Sequence, residues 1–129
     1  MPRFVVLHHE LPAGAVRATH WDLMFEVAGA LRTWAIETPP EAWQAGKALA
    51  LPDHRLAYLD YEGPVSGDRG AVTRYDAGDY CVVRETPGLW TLDLAGARLR
   101  GRLSLERVDL GAAGEAAASI WRFGFVAGS

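Results

Sequence analysis

The residues best suited to chemistry fall in four short stretches. The most informative is His20-Trp21-Asp22-Leu23-Met24-Phe25-Glu26-Val27, whose alternation is that of a β-strand. Side chains on a strand alternate between faces, so Trp21, Leu23, Phe25 and Val27 share one face and His20, Asp22, Met24 and Glu26 the other. The first face reads as core. The second sets an imidazole and a carboxylate side by side on a surface, about 7 Å apart along the strand, in reach of one shared metal ion or one phosphate. His8-His9 ends an opening strand, and Asp53-His54-Arg55-Leu56-Ala57-Tyr58 follows Pro52. Tyr61 to Gly70 is a glycine-rich loop whose backbone N–H groups and Arg69 can meet an anion. Taken one at a time, these are a solvated histidine, a turn, or an Arg69–Asp68 pair. Taken together they are two or three imidazoles, a carboxylate, a phenol and an arginine, the types that gather around a metal ion.

The elements that must position them are strands. Strand-like runs cover residues 4–8, 20–27, 31–36, 48–51, 71–75, 80–84, 89–94, 97–105 and 119–126, with glycine and proline clusters between them. Many short strands with almost no helical periodicity predict an all-β barrel or sandwich. Pro40 to Ala45 is expected to make one helical turn, with proline at an early position, and residues 112–118 to form a loop. Tyr58 is expected to share a face with His54 if that segment is extended. In residues 97–105 the arginines alternate outward and form a solvated face, while Leu99, Leu103 and Leu105 point inward.

Length and composition narrow the function classes. A chain of 129 residues, 50% hydrophobic and 22% charged, fits one globular domain over residues 1–129. No apolar run approaches the roughly 20 residues of a membrane span, and Phe4 to Leu7 is too short for a signal peptide. No membrane association is expected. The single cysteine, Cys81, sits in an apolar run and is expected to be a buried, inert thiol, which makes a reducing cytoplasm the default compartment. The net charge of −3, with one lysine and no basic block, argues against extensive groove contact with duplex DNA. Any nucleic acid should be held at an end or a local site.

The order of motifs resembles a known family. Phe4-Val5-Val6, His9, His20-x-Asp22-x-x-x-Glu26 and Gly29-x-Leu31-x-x-Trp34-Ala35 are followed by Asp53-His54-x-x-x-Tyr58, Tyr61-Glu62-Gly63 and Tyr75-Asp76-x-Gly78. Leu94-x-Gly96-x-x-Leu99-x-Gly101 and the strand around Trp121 complete the pattern. It is similar to the 3′-phosphoesterase family, which includes the phosphoesterase module of bacterial end-joining DNA ligase D. The resemblance implies a small closed or nearly closed β-barrel of about eight short strands with little helix, carrying a metal-dependent site on its outer surface. It implies Mn²⁺, or alternatively Zn²⁺ or Co²⁺, held by His9, His20 and Asp22, with His54 and Tyr58 acting at the scissile phosphate. His8 and His9 point to opposite faces, so only one should be a ligand; the motif selects His9, with His8 as the alternative. The activity implied is removal of a 3′-terminal phosphate, or of a 3′-ribonucleotide, from a DNA primer end in repair. The implied partners are DNA 3′ ends or a primer-template, and separate polymerase and ligase chains.

Three differences from the family pattern shape the expectation. Met24 stands where the family carries a phosphate-contacting arginine, and a thioether cannot replace a bidentate cation. Arg69, an addition to the glycine loop, is the candidate phosphate-binding substitute. The connection from His9 to His20 is longer than in the family. The first strand begins near residue 3, without the polar segment that assists ribonucleotide removal, so simple 3′-phosphate removal is the expected reaction. Two other readings remain. A barrel that lost turnover could bind nucleic-acid ends or a protein partner, which exposed Trp43 and Trp90 would favour. His20-x-Asp22 with His54 also matches the outline of a non-haem iron oxygenase triad.

Overall fold

Alternation decides which side of each strand faces inward, and closure of the sheet decides what that side becomes. The computed structural model describes residues 2–15, 17–108 and 119–128. Its strands are β1 (Arg3–Glu10), β2 (His20–Val27), β3 (Ala30–Ile36), β4 (Ala45–His54), β5 (Gly63–Pro64), β6 (Ala71–Thr86), β7 (Leu89–Gly96), β8 (Arg100–Arg107) and β9 (Ser119–Ala127). They pair antiparallel in the order β1-β2-β3-β4-β9-β8-β7-β6-β5, and β1 also pairs with β6. Eight strands therefore close into a barrel, with β5 as an extra strand beside β6. Closure leaves the barrel without a free sheet edge along most of its length. Two short 3-10 helices, Pro40–Ala42 and Leu56–Leu59, are the helical elements among the described residues. No helix among the described residues is long and apolar enough to cross a membrane.

The interior is aromatic. Phe4, Phe25, Trp34, Tyr80, Trp90, Trp121 and Phe123 are buried together, with Phe25 packed against the rings of Trp34, Tyr80 and Trp90. Each such side chain contributes about 1.5–3 kcal/mol by leaving water. The guanidinium of Arg32 covers this cluster, 4.7 Å from the ring centre of Trp34 and 4.8 Å from that of Trp90. Trp43 and Trp90 are thus core residues, and neither offers an exposed partner surface.

A second apolar cluster lies on the outside of the barrel. Val5, Leu7, Met24, Leu31, Leu59 and Val72 pack there, with Leu59 supplied by the second 3-10 helix. Strands β1 and β2 are consequently covered on both faces. This corrects the expected surface position of the His20 and Asp22 face: these side chains are 1% and 2% exposed. Val27, assigned to the core by alternation, is instead 39% exposed, because it lies at the β2–β3 turn.

Other expectations shift for identifiable reasons. The runs 71–75 and 80–84 are one strand, since Gly78 is a close-approach point and no breaker. A Cβ there would lie 2.2 Å from the Ala95 carbonyl oxygen. Beyond Asp79, where its pairing with β1 ends, β6 runs on with β7 alone. Cys81 lies in that stretch and is exposed, so the thiol is not the buried one expected. Residues 112–118 lie outside the described residues. Asp76, buried beside Phe4, accepts hydrogen bonds from the backbone N–H groups of Ala97, Arg98 and Leu99. A Cβ on Gly96 would come within 2.2 Å of its carboxylate. The motif residues Asp76, Gly78 and Gly96 thus build the β7–β8 turn.

Candidate functional site

The register of β1 against β2 assembles the site. His9 lies directly opposite His20, and Leu7 opposite Asp22, so His9, His20 and Asp22 meet on the outer face. One ligand atom from each lies within 4.8 Å of the others. His9 Nδ1 is 3.1 Å from Asp22 Oδ2, and His20 Nε2 is 3.0 Å from Asp22 Oδ1. His8 does not join them; its ring stacks on Trp21 at 4.5 Å.

The far nitrogen of each imidazole determines what the near one can do. His9 Nε2 donates to the Arg69 carbonyl at 2.7 Å, and His20 Nδ1 donates to the Ala18 carbonyl at 2.8 Å. Carbonyls only accept, so these nitrogens carry the protons of the neutral rings. The bare lone pairs of His9 Nδ1 and His20 Nε2 then face the oxygens of Asp22. His20 Nε2 and Asp22 Oδ1 are close but not aligned as a hydrogen bond, and both are buried without a hydrogen-bond partner among the described residues. Buried acceptors aimed at one another, with their outer nitrogens fixed by carbonyls, form the donor arrangement of a divalent metal centre. The residues present fit such an ion.

Burial by itself raises the pKa of Asp22, but the close approach of both imidazoles, His20 and His9, outweighs it and holds the carboxyl down to about 2. His9 is raised above its usual value, mainly by its hydrogen bond to Asp22, with burial and Arg17 opposing.

The neighbouring groups converge on the same cavity, about 650 Å³ in volume, which His9, His20, Asp22, His54, Tyr58 and Arg69 all line. His54 ends β4, but the segment after it is not extended. A 3-10 helix over Leu56–Leu59 turns Tyr58 back, with the two ring centres 5.8 Å apart. His54 Nδ1 is 3.0 Å from the Pro52 carbonyl, to which it donates, so in the neutral ring Nε2 is the nitrogen without a proton. The outline of His20, Asp22 and His54 as an oxygenase triad is not what forms; among the described residues the clustered set contains His9. Arg69 bonds Ser66, at 2.7 Å to its carbonyl oxygen and 3.2 Å to Oγ, and makes no ion pair with Asp68. Its own carbonyl reaches His9 because Gly70 has φ of 79° and lies against β1, where a Cβ would be 1.9 Å from the Glu10 carbonyl oxygen. Met24, 1% exposed, gives the cavity an apolar floor together with Val72.

Sequence reasoning missed several parts. The Ala18 and Arg69 carbonyls are backbone groups with no side-chain signature. Arg55 and Arg17 also line the cavity. Arg55 sat in plain view beside His54, whereas Arg17 depended on the path of the β1–β2 connection.

Comparison with known proteins is consistent in direction. The family model described as the DNA Ligase D 3′-phosphoesterase domain matches residues 9–107. The chain is 34% identical over 108 residues to the multifunctional non-homologous end joining protein LigD of Pseudomonas aeruginosa, covering 70% of this chain and 12% of that protein. It is 31% identical over 115 residues to the multifunctional non-homologous end joining DNA repair protein LigD of Mycobacterium tuberculosis, covering 82% of this chain and 14% of that protein. The chain thus spans a small part of the length of these relatives.

Proposed function

The chain belongs to the family of the DNA ligase D 3′-phosphoesterase domain, and from that premise we propose that it is a metal-dependent phosphoric ester hydrolase that removes a 3′-terminal phosphate from DNA ends. The observation that carries the reading is the pair of buried, unpartnered acceptors on His20 and Asp22, with His9 completing the set. His9, His20 and Asp22 would hold the ion, with Mn²⁺ the first choice and Zn²⁺ or Co²⁺ as alternatives for a mixed nitrogen and oxygen donor set. When bound, such an ion polarises a phosphoryl oxygen and lowers the pKa of a water.

The chain's own groups do the rest. The Ala18 and Arg69 carbonyls fix the imidazoles so that their lone pairs face inward. Tyr58 donates its phenolic proton to a non-bridging phosphate oxygen. As water attacks phosphorus and the P–O3′ bond breaks, His54 in its imidazolium form gives its Nε2 proton to the departing O3′. The products are inorganic phosphate and a 3′-hydroxyl. The partners of this reading are DNA ends and, in a repair setting, polymerase and ligase chains.

The test is phosphate release from a 3′-phosphorylated primer-template with Mn²⁺, comparing wild type, His20→Ala and His54→Ala. His20→Ala should lose metal binding and turnover together. His54→Ala should keep the metal and lose about 10²–10⁴-fold in turnover. Metal binding without turnover in the wild type would sink the hydrolase reading and favour an end-binding barrel, to which the apolar floor at Met24 points.

A further inference from the structure

Nearly every arginine in the described residues is engaged. Arg3 and Arg74 meet Asp60, Arg102 meets Asp93, and Arg122 meets Glu106. Arg32 covers the tryptophans, Arg98 lies over Tyr75, Arg100 donates to the Gly96 carbonyl, Arg69 is tied to Ser66, and Arg107 also has a partner. Three guanidiniums have no hydrogen-bond or ion-pair partner among the described residues: Arg17, Arg55 and Arg84. Two of these three, Arg17 and Arg55, line the cavity that holds His9, His20 and Asp22; Arg84 does not. They come from different elements, Arg17 from the β1–β2 connection and Arg55 from the residue before the second 3-10 helix. Arg17 is near enough for its charge to lower the pKa of His9.

A cavity whose floor is apolar at Met24 and Val72 offers a dianion no cationic side chain from below. Its charge has to be met from the rim. A guanidinium presents several N–H groups in a fixed plane that matches phosphate oxygens, and a free one loses no existing bond on binding. We infer that Arg17 and Arg55 form an anion-gripping pair for the non-bridging oxygens of the terminal phosphate. Arg69 has a separate duty: its guanidinium holds the loop through Ser66 while its carbonyl orients His9. The inference rests on the proposed function only for the identity of the anion as a 3′-phosphate.

The test is equilibrium binding in the presence of a chelator, so that the arginines act without a metal ion. Two oligodeoxynucleotides of one sequence are compared, one ending in a 3′-phosphate and one in a 3′-hydroxyl. Wild type should prefer the phosphorylated end by about tenfold or more, as charge-assisted hydrogen bonds of ordinary strength require. Arg17→Ala and Arg55→Ala should each reduce the preference, and the double variant should abolish it. Arg84→Ala, the free arginine outside the cavity, should leave it intact. Absence of a preference in wild type, or a preference retained by the double variant, would overturn the inference. So would equal weakening towards both oligonucleotides, which would mean a grip on the strand in general. Turnover, measured separately with Mn²⁺, tells the two claims apart: an arginine-dependent preference in a protein that releases no phosphate would support the pair and sink the hydrolase.

Discussion

In the proposed metal site, His9 is the residue at which protons and the ion would compete. Its pKa is raised by the hydrogen bond to Asp22, while Asp22, at about 2, stays ionised at any working pH. A group with a raised pKa keeps its proton to a higher pH than usual, and an ion can bind only after that proton leaves. Metal affinity should therefore fall as pH drops, by about tenfold per unit once below the His9 pKa. Mn²⁺ titrations at pH 8, 7 and 6 should show that slope, and an affinity independent of pH would mean that His9 is not a ligand. His20 and Asp22 were legible because a period of two puts them on one face. Their burial was not, since the outer apolar cluster beside them, around Met24, is completed by Leu59 and Val72, which join it only through the fold. The same period could not choose between His8 and His9; the motif order does, and the pairing of β1 with β2 sets His9 opposite His20.

Elements contribute in two separable ways, and two substitutions distinguish them. Gly70 lets the loop before β6 lie against Glu10 and deliver the Arg69 carbonyl to His9. Gly70→Ala must push that loop away, and loss of such an outer partner typically costs about 10–100-fold in metal affinity. Asp76 satisfies three backbone N–H groups of the β7–β8 turn, far along the chain from the imidazoles. Asp76→Ala should cost about 3 kcal/mol or more of stability, because those donors lose their acceptor. It should leave metal affinity unchanged in the folded protein. Isothermal titration and thermal melts on both variants check the contrast, and a stability loss without an affinity loss in Gly70→Ala would overturn the role given to the loop. Both glycine-rich motifs stood out in the sequence. Their purposes did not, because composition cannot tell a glycine that permits close approach from one that merely turns the chain. The 3-10 helix that brings Tyr58 to His54 was hidden for a similar reason: four residues carry too little periodicity to separate a tight turn from a strand.

At the scale of the whole molecule, the all-β class was legible because alternation and turn residues are local signals. The closed barrel of about eight strands came from the family resemblance, and the count of runs divided β6 in two. The joining of β1 to β6, which shuts the barrel, is not local: it pairs His9 with Val72 across a large part of the chain. That long-range pairing has a kinetic consequence. Contacts between distant segments carry the largest loop-closure cost and tend to form late, so the strand bearing His9, a proposed metal ligand, should dock near the end of folding. An ion that recognises only the finished site cannot speed the steps before it. Saturating Mn²⁺, at a hundred times its Kd, should slow unfolding by about 100-fold and leave the refolding rate unchanged, as read by tryptophan fluorescence after rapid mixing. Faster refolding with the ion would place assembly of the site before closure. With the expected outcome, the metal is a latch on the completed barrel and not the seed from which it grows.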